Sequence, residues 1–226
     1  MKKAFTLAEV LITLGIIGVV AAITIPSLIT KYHRHIAETK LKRFYSTMNQ
    51  AIKMSIDEHN ELLISNEITE AVRSYGPGQH VKIAEYYNEY FTKYINMATI
   101  IPWSKKSSLN SIFVHLPDGS GFKLRNYYGK LDIFYYLDVN LAESKKCSLS
   151  SGKADFYYGN CEKGNKFWFI YAPEKEMMMP YGYNNQQYAL SQGKNGCYSA
   201  MGVSHYCTYI IMANGWKIPK DYPWIK

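Results

Sequence analysis

The sequence predicts an α+β fold, one long N-terminal helix laid on an antiparallel sheet, and two periodicities and one apolar run carry that prediction. From Ala37 onward, Ala37, Leu41, Phe44, Tyr45, Met48, Ile52, Ile56 and Leu63 recur three and four residues apart, the stripe that one face of a helix buries. From Asn110 the period falls to two, in aromatic-rich runs separated by turn residues, which is the signature of strands. Upstream of both, residues 5–29 are apolar or uncharged except for Glu9, so the helix begins as a segment long enough to cross a bilayer.

The elements follow in order. The first helix runs from Phe5 to about Glu61, roughly 85 Å at about 1.5 Å per residue. Its amphipathic half, about 31–61, packs on a domain. Residues 66–74 and 81–98 read as further helices separated by Gly76-Pro77-Gly78, with Ala84, Tyr87, Phe91, Tyr94 and Ala98 as the core stripe of the second. Residues 111–116 and 122–126, joined through Pro117-Asp118-Gly119-Ser120-Gly121, read as a hairpin. Residues 131–139, 154–160 and 166–172 are further strands, and Met177-Met178-Met179 is a loop or a strand edge. Near the end, 208–213 and 216–218 flank Asn214-Gly215 as a second hairpin.

Beyond the apolar segment the composition is that of a water-soluble domain, and the mean hydropathy of the whole chain is -0.24. The net charge of +8 permits contact with nucleic acid or an anionic envelope. The groups Lys31/Arg34, Lys40/Lys42/Arg43, Lys105/Lys106 and Lys145/Lys146 alternate with acids, as on a solvated surface. His33 and His35 read as two solvated residues on the helix. Four cysteines, Cys147, Cys161, Cys197 and Cys207, lie in the last third. They allow three pairings, of which the local pairs Cys147–Cys161 and Cys197–Cys207 close the shortest loops. No pair has the spacing of a zinc site. Disulfides would place the domain in an oxidising compartment.

No nucleotide-binding glycine motif, H-E-x-x-H or G-x-S-x-G occurs, so no catalytic residues are assigned and no enzyme is expected. Ser120 and Lys123 match S-x-x-K by coincidence, inside a hairpin.

Glu9 sorts the alternatives for residues 5–29. A secretory signal peptide has a shorter apolar core without a carboxylate. A plain anchor would leave that charge in lipid at a cost of several kcal/mol. No basic residue within the span can pair with it. Basic residues flank both ends, so the positive-inside rule does not orient the segment, while the cysteines favour the C-terminal domain outside.

Ala4-Phe5-Thr6-Leu7-Ala8-Glu9, behind a short basic leader and ahead of an unbroken apolar run, resembles the processing signal of type IV pilins and type II secretion pseudopilins. The resemblance implies a pilin-like fold and three parts: a leader at 1–4, a transmembrane and polymerisation helix at 5–30, and an extracytoplasmic domain at 31–226. It implies that a prepilin peptidase and methyltransferase cuts between Ala4 and Phe5 and methylates Phe5. Most members carry Gly where this chain has Ala4. It further implies that Glu9 neutralises the N-terminal amine of a neighbouring subunit in a helical filament, and that Pro26 is the point where the helix breaks or bends on packing. Gly18 and Ala22 offer a small-residue face to a neighbour.

Implied partners are other pilin or pseudopilin subunits, the inner membrane and an assembly platform. The precursor is expected in the inner (cytoplasmic) membrane with its C-terminal domain outside, and then in a pilus or pseudopilus in the periplasm or at the cell surface. Asp138, Asn140 and Asp155 resemble a worn copy of a loop that holds calcium in some members; no other cofactor is implied. Two other readings remain open: a single-span envelope protein with a ligand-binding domain, and a tip subunit that binds DNA.

Overall fold

The structure is a computed structural model and describes residues 6–59, 79–95, 99–101, 111–127, 130–140, 165–191, 197, 205–220 and 222. Helix α1, Leu7–His59, is continuous over 53 residues, roughly 80 Å at the α-helical rise. Helix α2, Gln79–Tyr90, stops earlier than its apolar stripe suggests. The amides of Phe91 and Thr92 both donate to the Tyr87 carbonyl, at 2.9 and 3.1 Å, and Thr92 Oγ1 donates to Asn88 Oδ1 at 3.1 Å. The ladder therefore closes on itself one turn before the apolar positions run out. The helix expected over 66–74, the strand over 154–160 and Ala98 lie outside the described residues.

Among the described residues six strands form one antiparallel sheet in chain order: β1 Thr99–Ile101, β2 Ser111–His115, β3 Gly121–Tyr127, β4 Lys130–Tyr136, β5 Lys166–Ala172 and β6 Met177–Pro180. Strands β2 to β5 fall where the period-two runs place them. Strand β1 is too short for a periodic signal. Gly121 opens β3 where a Cβ would stand 2.6 Å from both the Val114 carbonyl oxygen and the Val139 side chain, so only glycine lets the turn close here.

The hairpin expected at 208–218 is instead a helix and a turn. Residues Cys207–Ala213 form a helix, α4, preceded by the short α3, Gln186–Ser191. A six-residue apolar run carries no period that separates strand from helix. Cys207 is bonded to Cys197 at the start of α4, and Gly215, at φ 66°, provides the left-handed residue after its end.

The main core lies between α1 and one sheet face. Ala37, Leu41, Phe44, Met48 and Ile52 of α1 are buried against Ile112, Val114, Phe122, Leu124, Ile133, Tyr135, Phe167 and Phe169. Phe44 stacks on Tyr135 at 4.2 Å and reaches Phe122 and Phe169 at 5.4 and 5.8 Å. Burying one such ring stabilises the fold by about 1.5–3 kcal/mol.

Polar side chains flank this stripe and fix how the helix lies. Along one edge, two Arg34 nitrogens donate to the Pro219, Lys220 and Tyr222 carbonyls at 2.9–3.2 Å. One turn on, Glu38 accepts from the Ile218 amide at 2.9 Å and from Lys217 at 2.8 Å. Asn49 exchanges two bonds with the backbone of Met178, at 2.7 and 3.3 Å, and so occupies backbone groups on strand β6 that another strand could take. On the other flank Lys40 donates to the Asp118 and Leu137 carbonyls at 2.9 and 3.3 Å. Arg34 and Lys40 are thus not the free surface cations their spacing suggests; they hold the domain to α1.

The opposite sheet face is buried too, around Phe113, Phe134, Tyr136 and Trp168. Arg125 and Asp132 stand directly opposite in the β3–β4 register and form a buried ion pair. Trp168 Nε1 donates to the second Asp132 oxygen at 3.1 Å, and the Arg125 guanidinium lies 5.0 Å from the Phe134 centroid. Burial pushes the Asp132 carboxyl up while Arg125 draws it down. His205 meets the Trp168 ring at 4.7 Å; burial, with Lys166 and Arg125 nearby, lowers it to about 4 and keeps it neutral at pH 7. Replacing Asp132 by Ala strands the Arg125 charge and is expected to cost about 3–5 kcal/mol in chemical denaturation, whereas the joint Arg125→Met, Asp132→Leu variant loses far less.

Candidate functional site

The described part of the apolar segment, residues 7–29, is exposed almost throughout, and none of its most apolar stretch is buried against the domain. An exposed helix this apolar needs a membrane or neighbouring helices around it. Its hydroxyls are already satisfied within the helix: Thr13 donates to the Glu9 and Val10 carbonyls at 2.9 Å, Thr24 to Val20 at 2.9 Å, Ser27 to Thr24 at 3.2 Å and Thr30 to Pro26 at 3.1 Å. Such back-bonding hides each polar group from lipid.

Glu9 is treated differently. It occupies the third helical position after Thr6, and the two residues form a reciprocal cap. The Thr6 amide and Oγ1 each donate to Glu9 Oε2 at 2.8 Å, while the Glu9 amide donates to Thr6 Oγ1 at 3.3 Å. Both bonds fall on one oxygen. Among the described residues nothing donates to the other, Oε1, and in lipid an unpaired carboxylate oxygen is costly. Thr6 lies after Phe5, so a cut between Ala4 and Phe5 would leave this cap covalently intact.

Ala4 and Phe5 themselves lie outside the described residues. Pro26 sits inside an uninterrupted α1, where the ring removes the bond to the Ala22 carbonyl without ending the helix in a single chain. Gly15 and Gly18 face open space, since a Cβ at either would meet nothing within 4 Å. Cys197 and Cys207 are joined, both fully buried, at a Cα separation of 4.9 Å; Cys147 and Cys161 lie outside the described residues.

Asp138 and Asn140 occupy the loop after β4, and Asp155 lies outside the described residues. The Asp138 carboxylate accepts from the Asn140 amide at 2.9 Å. Asn165 braces the same loop: its Oδ1 accepts from the Asp138 amide at 2.8 Å and its Nδ2 donates to the Asp138 carbonyl at 2.9 Å. Among the described residues no three His, Cys, Asp or Glu side chains cluster for a metal. Nothing in the spacing of the sequence singles out Asn165, because its partners are backbone groups.

Two family descriptions cover nearly the whole chain. The prokaryotic N-terminal methylation motif, which is the type IV pilin and pseudopilin signal, matches residues 1–25. A family of unknown function, DUF6613, matches residues 27–225. The chain belongs to DUF6613. No curated protein and no solved structure matches it.

This DUF6613 chain therefore joins a family domain to a pilin-type N-terminus. It has the long apolar helix and six-stranded antiparallel sheet of a pilin-like α+β protein, and the signature of a structural pilin-like protein rather than of an enzyme family. Its motif marks it as a pilin-like substrate of the prepilin peptidase, and its apolar helix fits a membrane-anchored precursor. Replacing Thr6 by Val removes the hydroxyl half of the cap and leaves the amide half. In micelles, hydrogen exchange at the Glu9 and Val10 amides, which bond to Thr6, is expected to rise about fivefold to tenfold, the measure of a cap worth about 1 kcal/mol.

Proposed function

We propose that this protein is a structural subunit, a pilin or pseudopilin, of a type IV pilus, type II secretion or competence filament. The observation that carries the reading is the Glu9 carboxylate, held by Thr6 through one oxygen and, among the described residues, open at the other, in an apolar segment whose other hydroxyls bond back to its own carbonyls. A cut between Ala4 and Phe5 creates an amine one turn away from this level of the helix. The amine of a neighbour then supplies what Glu9 Oε1 lacks, and two charges that are each costly in lipid become tolerable together. Polymerisation is the function, and the exposed apolar helix is its working surface.

In this reading the leader Met1 to Ala4 is removed on the cytoplasmic side, Phe5 is methylated, and the domain lies outside the inner membrane before it enters a filament in the periplasm or at the cell surface. The Cys197–Cys207 disulfide supports an oxidising location.

Glu9→Leu is the test. Membrane insertion is expected to be unchanged, while incorporation into sheared or cross-linked filaments falls about tenfold or more. Equal incorporation of the Leu variant would refute the pairing.

A further inference from the structure

A cleft of about 640 Å³ opens between α1 and the β5–β6 turn, with Trp216 across one end. Ligand pockets fall in this size range and combine an apolar floor with a few polar groups. Here the floor is aromatic: Tyr45 and Trp216 meet at 4.7 Å. The rim carries Lys42, Lys53 and Lys175.

Two observations set this cleft apart. The first is its backbone. Among the described residues, the two that are not glycine yet adopt positive φ are Glu176, at 51°, and Trp216, at 63°, and both line it. Trp216 follows left-handed Gly215, and the Lys217 amide donates to the Asn214 carbonyl at 3.3 Å. Such turns take Gly or Asn at the position Trp216 fills. A bulky ring there is strained, and such strain gathers at ligand clamps.

The second is charge. Lys40, Lys93 and Lys217 each bind a carboxylate, whereas Lys42, Lys53 and Lys175 are exposed and, among the described residues, form no ion pair. Asp57 and Glu176 stand at the same cleft and, among the described residues, form no ion pair either. A phosphodiester backbone offers Asp57 and Glu176 no donor, whereas a uronate chain carries hydroxyls beside each carboxylate: the hydroxyls can donate to Asp57 and Glu176, the carboxylates accept from the lysines, and the apolar ring faces cover Trp216.

We propose that this cleft binds an acidic, uronate-bearing oligosaccharide. This goes beyond the filament reading and does not depend on it. The test is calorimetric titration of the full-length protein in detergent with oligogalacturonate, with a neutral cello-oligosaccharide and single-stranded oligo-dT in parallel. Oligogalacturonate is expected to bind, at least tenfold tighter than the neutral chain, and Lys53→Glu and Lys175→Glu, both at exposed positions, each to weaken it tenfold or more. Trp216→Gly, which suits the left-handed turn, is expected to weaken it similarly. No binding at millimolar oligogalacturonate, equal affinity for the neutral chain, or binding indifferent to both lysine substitutions would overturn the proposal. Tighter binding of oligo-dT, lost in the same variants, would also overturn it and assign the cleft to single-stranded nucleic acid.

Discussion

One helix has to satisfy two environments, and the rest of the structure depends on how it does so. Before Thr30, α1 presents apolar side chains all round and folds its hydroxyls back onto its own carbonyls. From Ala37, the same helix is apolar on one stripe, where Phe44 and its neighbours fill the sheet, and polar on both flanks. The flanking contacts of Arg34, Glu38, Lys40 and Asn49 go mostly to backbone groups. They fix the helix on the domain without relying on surface ion pairs, which contribute little. A pull on the N-terminal half is thereby transmitted to the sheet through a continuous rod.

Against that arrangement Glu9 stands out. Every other polar side chain of the described span is content with its own helix, and Glu9 is half-content: one oxygen caps the first turn and the other is open. An isolated anchor gains nothing from the open half. In the proposed filament it does, because there the amine of a neighbouring chain cut at Phe5 is the charge that fills the open position.

The long-range pattern was largely legible in the sequence. The helix stripe from Ala37, the hairpin around Asp118-Gly119 and strands β4 and β5 follow from periods of 3.6 and 2, which report burial directly. The preferred pairing of Cys197 with Cys207 is present as well. What sequence missed falls into two kinds. Short elements such as β1, α3 and α4 have too few residues to show a period, and α4 was read as a strand because its apolar run and Asn214-Gly215 fit both a hairpin and a capped helix. The other kind is polar side chains whose partners are backbone atoms far along the chain: Arg34 at the C-terminal segment, Asn49 at Met178 and Asn165 at Asp138. Their spacing resembles that of solvated residues, and only the fold brings their carbonyls and amides within reach. For the candidate site the converse holds. Glu9 is conspicuous as a lone charge, while its reciprocal cap with Thr6 is local enough to be written in the T-x-x-E spacing, a signal that the surrounding apolar run masks.

The claim on which the rest depends is that the chain is cut between Ala4 and Phe5, since without that cut there is no amine for Glu9. Intact-mass measurement of the protein extracted from its native membrane decides it most directly. A mature chain that begins at Phe5 and carries a methyl group on its amine is the predicted result, and a chain that retains Met1 to Ala4 would contradict the account.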